Sequence, residues 1–135
     1  IDARFSDDIE QDLWDKWVFL AALAAGTCLM RSDIGTILKS EHGEALLIAL
    51  LTECTNIAAA EDHRPADERM AFYRNQLTGK DSKAKASMLR DIEQGGPSEA
   101  DHIVGDLIRR ARKRGLATPN LDIAWAHLQC YENAR

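Results

Sequence analysis

A run of 14 residues without a single charge, Trp17 to Met30, constrains this chain more than any other feature. The run is shorter than the roughly 20 apolar residues that a bilayer-spanning helix needs, and it suits a buried core helix. Mostly acidic residues precede it, which is the wrong flank for a signal peptide. Apolar residues at helical spacing extend the segment backward, so the pattern predicts a helix over Asp7 to Ala25 with Gly26 placed to stop it.

The rest of the chain is punctuated in the same way. Ser32 is placed to cap a short helix reaching about Leu38, and Glu44 to Ala60 forms a second strongly apolar helix. Pro65 suits the first turn of a further helix that Gly79 ends, and Lys83 to Glu93 is a shorter one closed by Gly95-Gly96. Ser98 and Asp101 resemble a capping box for a helix running to Gly115, and Thr118-Pro119 opens a last helix ending near Asn133. No run alternates like a half-buried strand, and there is no hairpin signature, internal repeat or low-complexity tract. The expected fold is a single all-α domain over residues 1–135.

Composition narrows the function classes. A hydrophobic fraction of 45% with 29% charged residues is that of an ordinary globular domain. The net charge of -5 argues against a nucleic-acid partner or an anionic membrane, both of which want a basic face. Cys28, Cys54 and Cys130 form neither a disulfide framework nor a CxxC zinc pattern, so a reducing cytoplasm is expected. His42, His63, His102 and His127 share no i, i+4 pairing with one another or with a cysteine, so no metal is expected. There is no GxGxxG turn, phosphate loop or nucleophile elbow. The first residue is Ile1 rather than Met, which leads us to expect a piece of a longer protein.

Several residues could carry chemistry. Lys16 shares a helical face with Leu13, Leu20 and Leu23, so it is either a snorkelling lysine or an ammonium at the wall of a cleft, where desolvation would make it a proton donor near neutral pH. Glu53 lies among Ala49, Leu50 and Ile57 and needs a partner from elsewhere, such as a cation or a neighbouring helix end. Glu99 suits the first turn of its helix, where the dipole favours a negative charge, and Ser87 and Met88 suit ordinary helix positions. The run Arg109, Arg110, Arg112, Lys113 and Arg114 reads as a solvated helix end.

Two blocks of sequence go further. Leu13-Trp14-Asp15-Lys16-Trp17 is similar to the W-x-K segment that opens the helical domain of ketopantoate (2-dehydropantoate) reductases. Ala86 to Ile92, then Ser98-Glu99-Ala100-Asp101, Gly105 and Arg112 to Gly115 with Thr118-Pro119, resemble that family's S-M-x-x-D, T-E-I-D-x-I-x-G and G-x-x-x-P signatures in the same order. Together they bracket the chain from about Phe5 to Gln129.

The resemblance implies the C-terminal, substrate-side domain of such an enzyme, in a compact multi-helix fold like the C-terminal domain of 6-phosphogluconate dehydrogenase. It implies an NADPH-dependent reduction of a small 2-oxo acid to a 2-hydroxy acid, with ketopantoate to pantoate, in pantothenate biosynthesis, as the reference reaction. The cofactor would be bound mainly by the protein's own N-terminal Rossmann domain, absent from this chain, and the chain alone would be inactive. Carried over by motif, Lys16 would be the general acid, Glu99 would hydrogen-bond the substrate hydroxyl or orient Lys16, and Ser87 would hold the substrate carboxylate. A homodimer is a further expected partner.

One departure stands out. The family helix presents asparagines one and two turns after the lysine, where this chain has Leu20 and Ala24. The alternatives are a related dehydrogenase with another 2-oxo acid or an imine as substrate, and a non-catalytic helical dimerisation module. Lys16 buried beside Glu53 with no cleft would mark the latter. A nucleic-acid-binding domain is supported only by the basic run.

Overall fold

The computed structural model describes the backbone of residues 3–135 and the side chains of residues 9–135; Ile1 and the side chain of Phe5 lie outside the described residues. Seven α-helices and one π-helical turn make up the fold, with no strand among the described residues. They are α1 (Ala3–Met30), α2 (Ile34–Leu38), α3 (Gly43–Ala60), α4 (Asp67–Leu77), α5 (Ser87–Glu93), the π-helical turn Asp101–Gly105, α6 (Asp106–Lys113) and α7 (Pro119–Ala134). The all-α expectation holds.

The core is built around α1 and α3. Val18, Ala21, Ala22, Ala25 and Cys28 of α1 and Leu47, Leu50, Cys54 and Ile57 of α3 are fully buried. At about 1.5–3 kcal/mol for each large aliphatic side chain taken out of water, this pair of faces is the main stabilising element. Segments Ile9–Met30 and Gly43–Ala60 are long and apolar enough to cross a membrane by length and composition, and about half of each window is buried inside the fold. The small residues of α1 let α3 approach closely.

That approach corrects one expectation. Gly26 does not stop α1, which runs on to Met30. A Cβ at Gly26 would meet Leu47 Cδ2 at 2.6 Å, so the glycine serves helix contact rather than termination. Arg31, with φ of 53°, ends the helix instead.

Other boundaries shift for identifiable reasons. Asp33, not Ser32, caps α2 by accepting the Thr36 N–H at 2.8 Å. Pro65 precedes α4 rather than opening it. Lys83 to Ala86 are not helical, because Ile34 N–H donates to Ala84 O at 3.0 Å and Gly35 N–H to Ser82 O at 2.7 Å, which commits that segment to α2. The capping box is absent: Ser98 donates to Glu132 on α7, while Asp101 pairs with Arg109. The expected single helix to Gly115 is instead the π-helical turn followed by α6.

Candidate substrate groove and its relatives

Successive residues of an α-helix turn by about 100°, which places Ile9, Leu13, Lys16, Leu20, Leu23 and Thr27 along one line of α1. The N-terminal part of that line is open. Ile9 is 47%, Leu13 62% and Leu20 47% exposed, and Lys16 lies exposed between them. These uncovered apolar side chains form an exposed strip on a helix whose other face is core.

Two elements flank the line. On one side, the Phe19 ring of α1 stacks on Tyr73 of α4 with centroids 4.9 Å apart. Ile9, Asp12, Leu13, Asp15, Lys16, Arg69 and Tyr73 enclose an open groove there. Burial pushes the Tyr73 phenol above its ordinary value, the Asp15 charge adds to the shift, and Arg69 opposes it. On the other side, Trp17 Nε1 donates to Ile103 O at 2.9 Å and holds the π-helical turn against α1. Glu99 precedes that turn, its carbonyl accepting the Ile103 N–H at 3.0 Å. The line ends where Ala86 N–H donates to Thr27 Oγ1 at 3.3 Å, one residue before Ser87 opens α5.

Lys16, Glu99 and Ser87 are all exposed, and the elements that carry them border one strip of α1. Thr27, beside the Ser87 segment, lies about 16 Å along the axis from Lys16. No hydrogen bond or ion pair joins any two of the three residues among those described. The water-poor surroundings that the cleft reading of Lys16 requires are not supplied by this domain on its own.

A cluster around Lys16 fixes its helical turn. The Arg110 guanidinium lies 5.3 Å from the Trp14 ring centroid and 5.5 Å from that of Trp17, and it pairs with Glu61 at 3.5 Å. Arg114 also reaches Glu61, at 3.3 Å, and Arg109 pairs with Asp101 and Asp106. Much of the basic run is therefore matched by acids of the same domain. Sequence spacing did not single out Arg69 or Tyr73, and it read Arg110 only as part of a solvated helix end. Arg69 and Tyr73 stand at i, i+4 on α4, which puts them on one face, but spacing does not say what that face meets.

Glu53 found the partner its surroundings require. It is 8% exposed and accepts from the backbone of Asn120 and Leu121 at the start of α7, so it is a helix cap and not a neighbour of Lys16. Lys16 buried beside Glu53, the mark of a non-catalytic module, does not occur. Among the described residues, no group of three His, Cys, Asp or Glu side chains could hold a metal. Leu20 and Ala24 differ from each other: Leu20 faces solvent beside Lys16, whereas Ala24 is 2% exposed and belongs to the core.

Residues 8–132 match the family described as "Ketopantoate reductase PanE/ApbA C terminal". The chain belongs to that family. It is 38% identical over 129 residues to the uncharacterized oxidoreductase YkpB of Bacillus subtilis, covering 94% of this chain and 42% of the relative. It is 28% identical over 120 residues to the 2-dehydropantoate 2-reductase of Pyrobaculum aerophilum, covering 86% of this chain and 41% of that enzyme. This member of the ketopantoate reductase family thus spans about two-fifths of the length of the curated relatives it matches.

Solved structures agree on the fold. The dimeric ketopantoate reductase of Staphylococcus aureus superposes with a TM-score of 0.83 at 26% identity, covering 99% of this chain and 45% of that one. A ketopantoate reductase-family protein from Ralstonia eutropha gives 0.84 at 24% identity, covering 95% and 43%, a likeness of fold. The helical architecture is that of the 6-phosphogluconate dehydrogenase C-terminal-like domains, and the relatives themselves are oxidoreductases by description.

Proposed function

We propose that this domain is the substrate-side half of an NADPH-dependent reductase of small 2-oxo acids, of the ketopantoate reductase kind, acting in the cytoplasm. The observation that carries the reading is Lys16: an exposed ammonium on the open part of one line of α1, with the turn after Glu99 held against α1 and the Ser87 segment meeting the buried end of that line at Thr27. When bound, NADPH would supply the hydride to the carbonyl carbon. The described residues include no glycine-rich turn at a helix start to hold a pyrophosphate, so the nucleotide is assigned to an N-terminal Rossmann domain of the same protein.

What this chain contributes is the acid and the orientation. As negative charge grows on the carbonyl oxygen, Lys16 Nζ donates a proton to it, and the product is a 2-hydroxy acid. Glu99 orients the ammonium or the substrate hydroxyl, and Ser87 meets the carboxylate. The groove is open in this domain alone, so a second domain closing over Leu13 and Leu20 would exclude water and strengthen each charged contact. A two-fold dimer is the second partner we propose; Ile123 of α7, 59% exposed, offers surface for it.

The test is direct. The full-length protein should oxidise NADPH in the presence of 2-oxo acids, while residues 1–135 alone should bind no NADPH in a calorimetric titration. NADPH bound tightly by the isolated domain, or no turnover of any 2-oxo acid by the full-length protein, would overturn the proposal.

A further inference from the structure

The Glu99 side chain is exposed and makes no hydrogen bond or ion pair with another described residue, so its backbone alone sets where it stands. On one side the Glu99 carbonyl accepts the Ile103 N–H at 3.0 Å, and Ile103 O accepts from Trp17 of α1. On the other side the incoming loop is gripped by the last turn of α7. Tyr131 Oη donates to Gly96 O at 2.6 Å, and Glu132 Oε2 accepts both Ser98 N–H and Ser98 Oγ at 2.9 Å. These two anchors flank Pro97, whose ring fixes its own φ, so little freedom is left in the approach to Glu99. The grips are themselves braced. Glu132 Oε1 accepts from Arg135 Nε at 2.9 Å, and the Arg31 guanidinium at the end of α1 lies 5.7 Å from the Tyr131 ring centroid.

We infer that Glu132 and Tyr131 are positioning residues: by fixing Gly96 and Ser98 they set where the Glu99 carboxylate stands relative to Lys16. This rests on the reductase reading, in which Glu99 acts on the substrate or on the ammonium. A group that orients a proton donor must be held within about 0.5 Å of its working place. An exposed carboxylate with no partner in its own domain obtains that only through its backbone. Glu132 and Tyr131 act through that backbone and take no part in proton transfer.

The experiment measures kcat of the full-length protein with NADPH and a 2-oxo acid, in a cycle of Glu132→Ala, Glu99→Ala and the double variant. Glu132→Ala should lower kcat by about tenfold to a hundredfold, the scale of a group misplaced by about 1 Å, with NADPH affinity unaltered. Glu132→Gln, which keeps an acceptor for Ser98, should recover most of the loss. In the Glu99→Ala background the same Glu132→Ala change should cost little more, because the group it places is gone. Tyr131→Phe removes a single hydroxyl and should repeat the pattern at smaller size, which keeps the test open if Glu132→Ala does not fold. A parent-like kcat in Glu132→Ala or Tyr131→Phe, or an equal loss in both backgrounds, overturns the inference and leaves the reductase reading standing. A parent-like kcat in Glu99→Ala removes the role of Glu99 and the inference with it. No turnover of any 2-oxo acid overturns the reductase reading as well.

Discussion

Glu53 on α3 and Asn120 on α7 are joined by a 2.7 Å hydrogen bond from the amide Nδ2 to the carboxylate, across 67 residues of sequence. The same carboxylate accepts the backbone N–H of Asn120 at 3.2 Å and of Leu121 at 2.9 Å. Those are first-turn donors that α7 cannot satisfy internally, and Thr118 at the cap position makes no side-chain cap bond of its own. Glu53 is thus a cap supplied from another helix. Glu53→Ala should cost about 2–3 kcal/mol in urea unfolding, because it strands buried donors as well as removing a cap. Glu53→Gln, which keeps an acceptor, should cost about half as much. A loss in the alanine variant below about 0.5 kcal/mol, the range of an ordinary surface change, would refute the capping role.

The cysteines make a second, independent check on the packing of α1 and α3. Burial pushes the Cys28 thiol up from 9.0 to about 12, and it pushes Cys54 further still. Cys130 is exposed. A thiol reagent at neutral pH should therefore modify one cysteine in the folded chain and all three after denaturation. The raised values also set a direction with pH. The stability they contribute is whole below the unfolded thiol value of about 9 and is lost as pH climbs toward the folded values. Unfolding midpoints should fall above pH 9, and less so in Cys28→Ala than in the parent. Fast labelling of all three thiols without denaturant would contradict the packing.

Helix ends were legible where the signal is local. Gly95 and Gly115, with φ of 76° and 69°, close α5 and α6 as their sequence positions suggested. Their neighbours complete the closure: Gly96 N–H bonds to Asp91 O at 3.0 Å and Leu116 N–H to Ala111 O at 2.9 Å. Gly26 misled because the same residue type also permits close approach of helices, and only the presence of Leu47 decides between the two uses. Lys83 to Ala86 have helix-compatible side chains, but Ala84 and the preceding Ser82 give their carbonyls to α2, a tertiary choice that spacing does not record. In the site, the Lys16 face was readable from its leucines and the need of Glu53 for a partner from its neighbours. Arg69 and Tyr73 reach the groove, and Arg110 reaches the Trp14 and Trp17 rings, through helix packing, which periodicity does not specify.

The segment before the π-helical turn depends on Glu132. Its carboxylate accepts from Ser98 N–H and from Ser98 Oγ, each at 2.9 Å, and so ties the residue preceding Glu99 to α7. The Ser98 backbone bond, with help from Arg135 and the Ser98 hydroxyl, holds the Glu132 carboxyl below its ordinary value of 4.5. With a lowered folded value, the tie is fully present above the unfolded value and is lost as pH falls through the folded one. Protection of the Ser98 to Ala100 amides, taken relative to the intrinsic exchange rate at each pH, should therefore fall once the pH is well below the ordinary value of 4.5, and Glu132→Ala should show that lost protection already at pH 7. Equal protection in parent and variant at neutral pH would remove the tie.

Lys16 allows the sharpest separation of chemistry from structure. Its side chain is exposed, with no hydrogen bond or ion pair to another described residue, so Lys16→Ala should change the unfolding free energy by no more than about 0.5 kcal/mol. In the full-length protein the same substitution should lower kcat for a 2-oxo acid by about two to four orders of magnitude, the usual worth of a positioned general acid. NADPH affinity should be unaltered, because the ammonium meets the substrate oxygen and not the nucleotide. Disturbing the surroundings of Lys16 should have a milder effect. Trp17→Phe removes the indole bond to Ile103 O and loosens the contact between α1 and the π-helical turn, and it should lower kcat while leaving NADPH affinity unchanged. An unchanged kcat in Lys16→Ala across a panel of 2-oxo acids would leave the lysine as a snorkelling side chain over apolar surface. The proton donor would then have to be sought outside this strip.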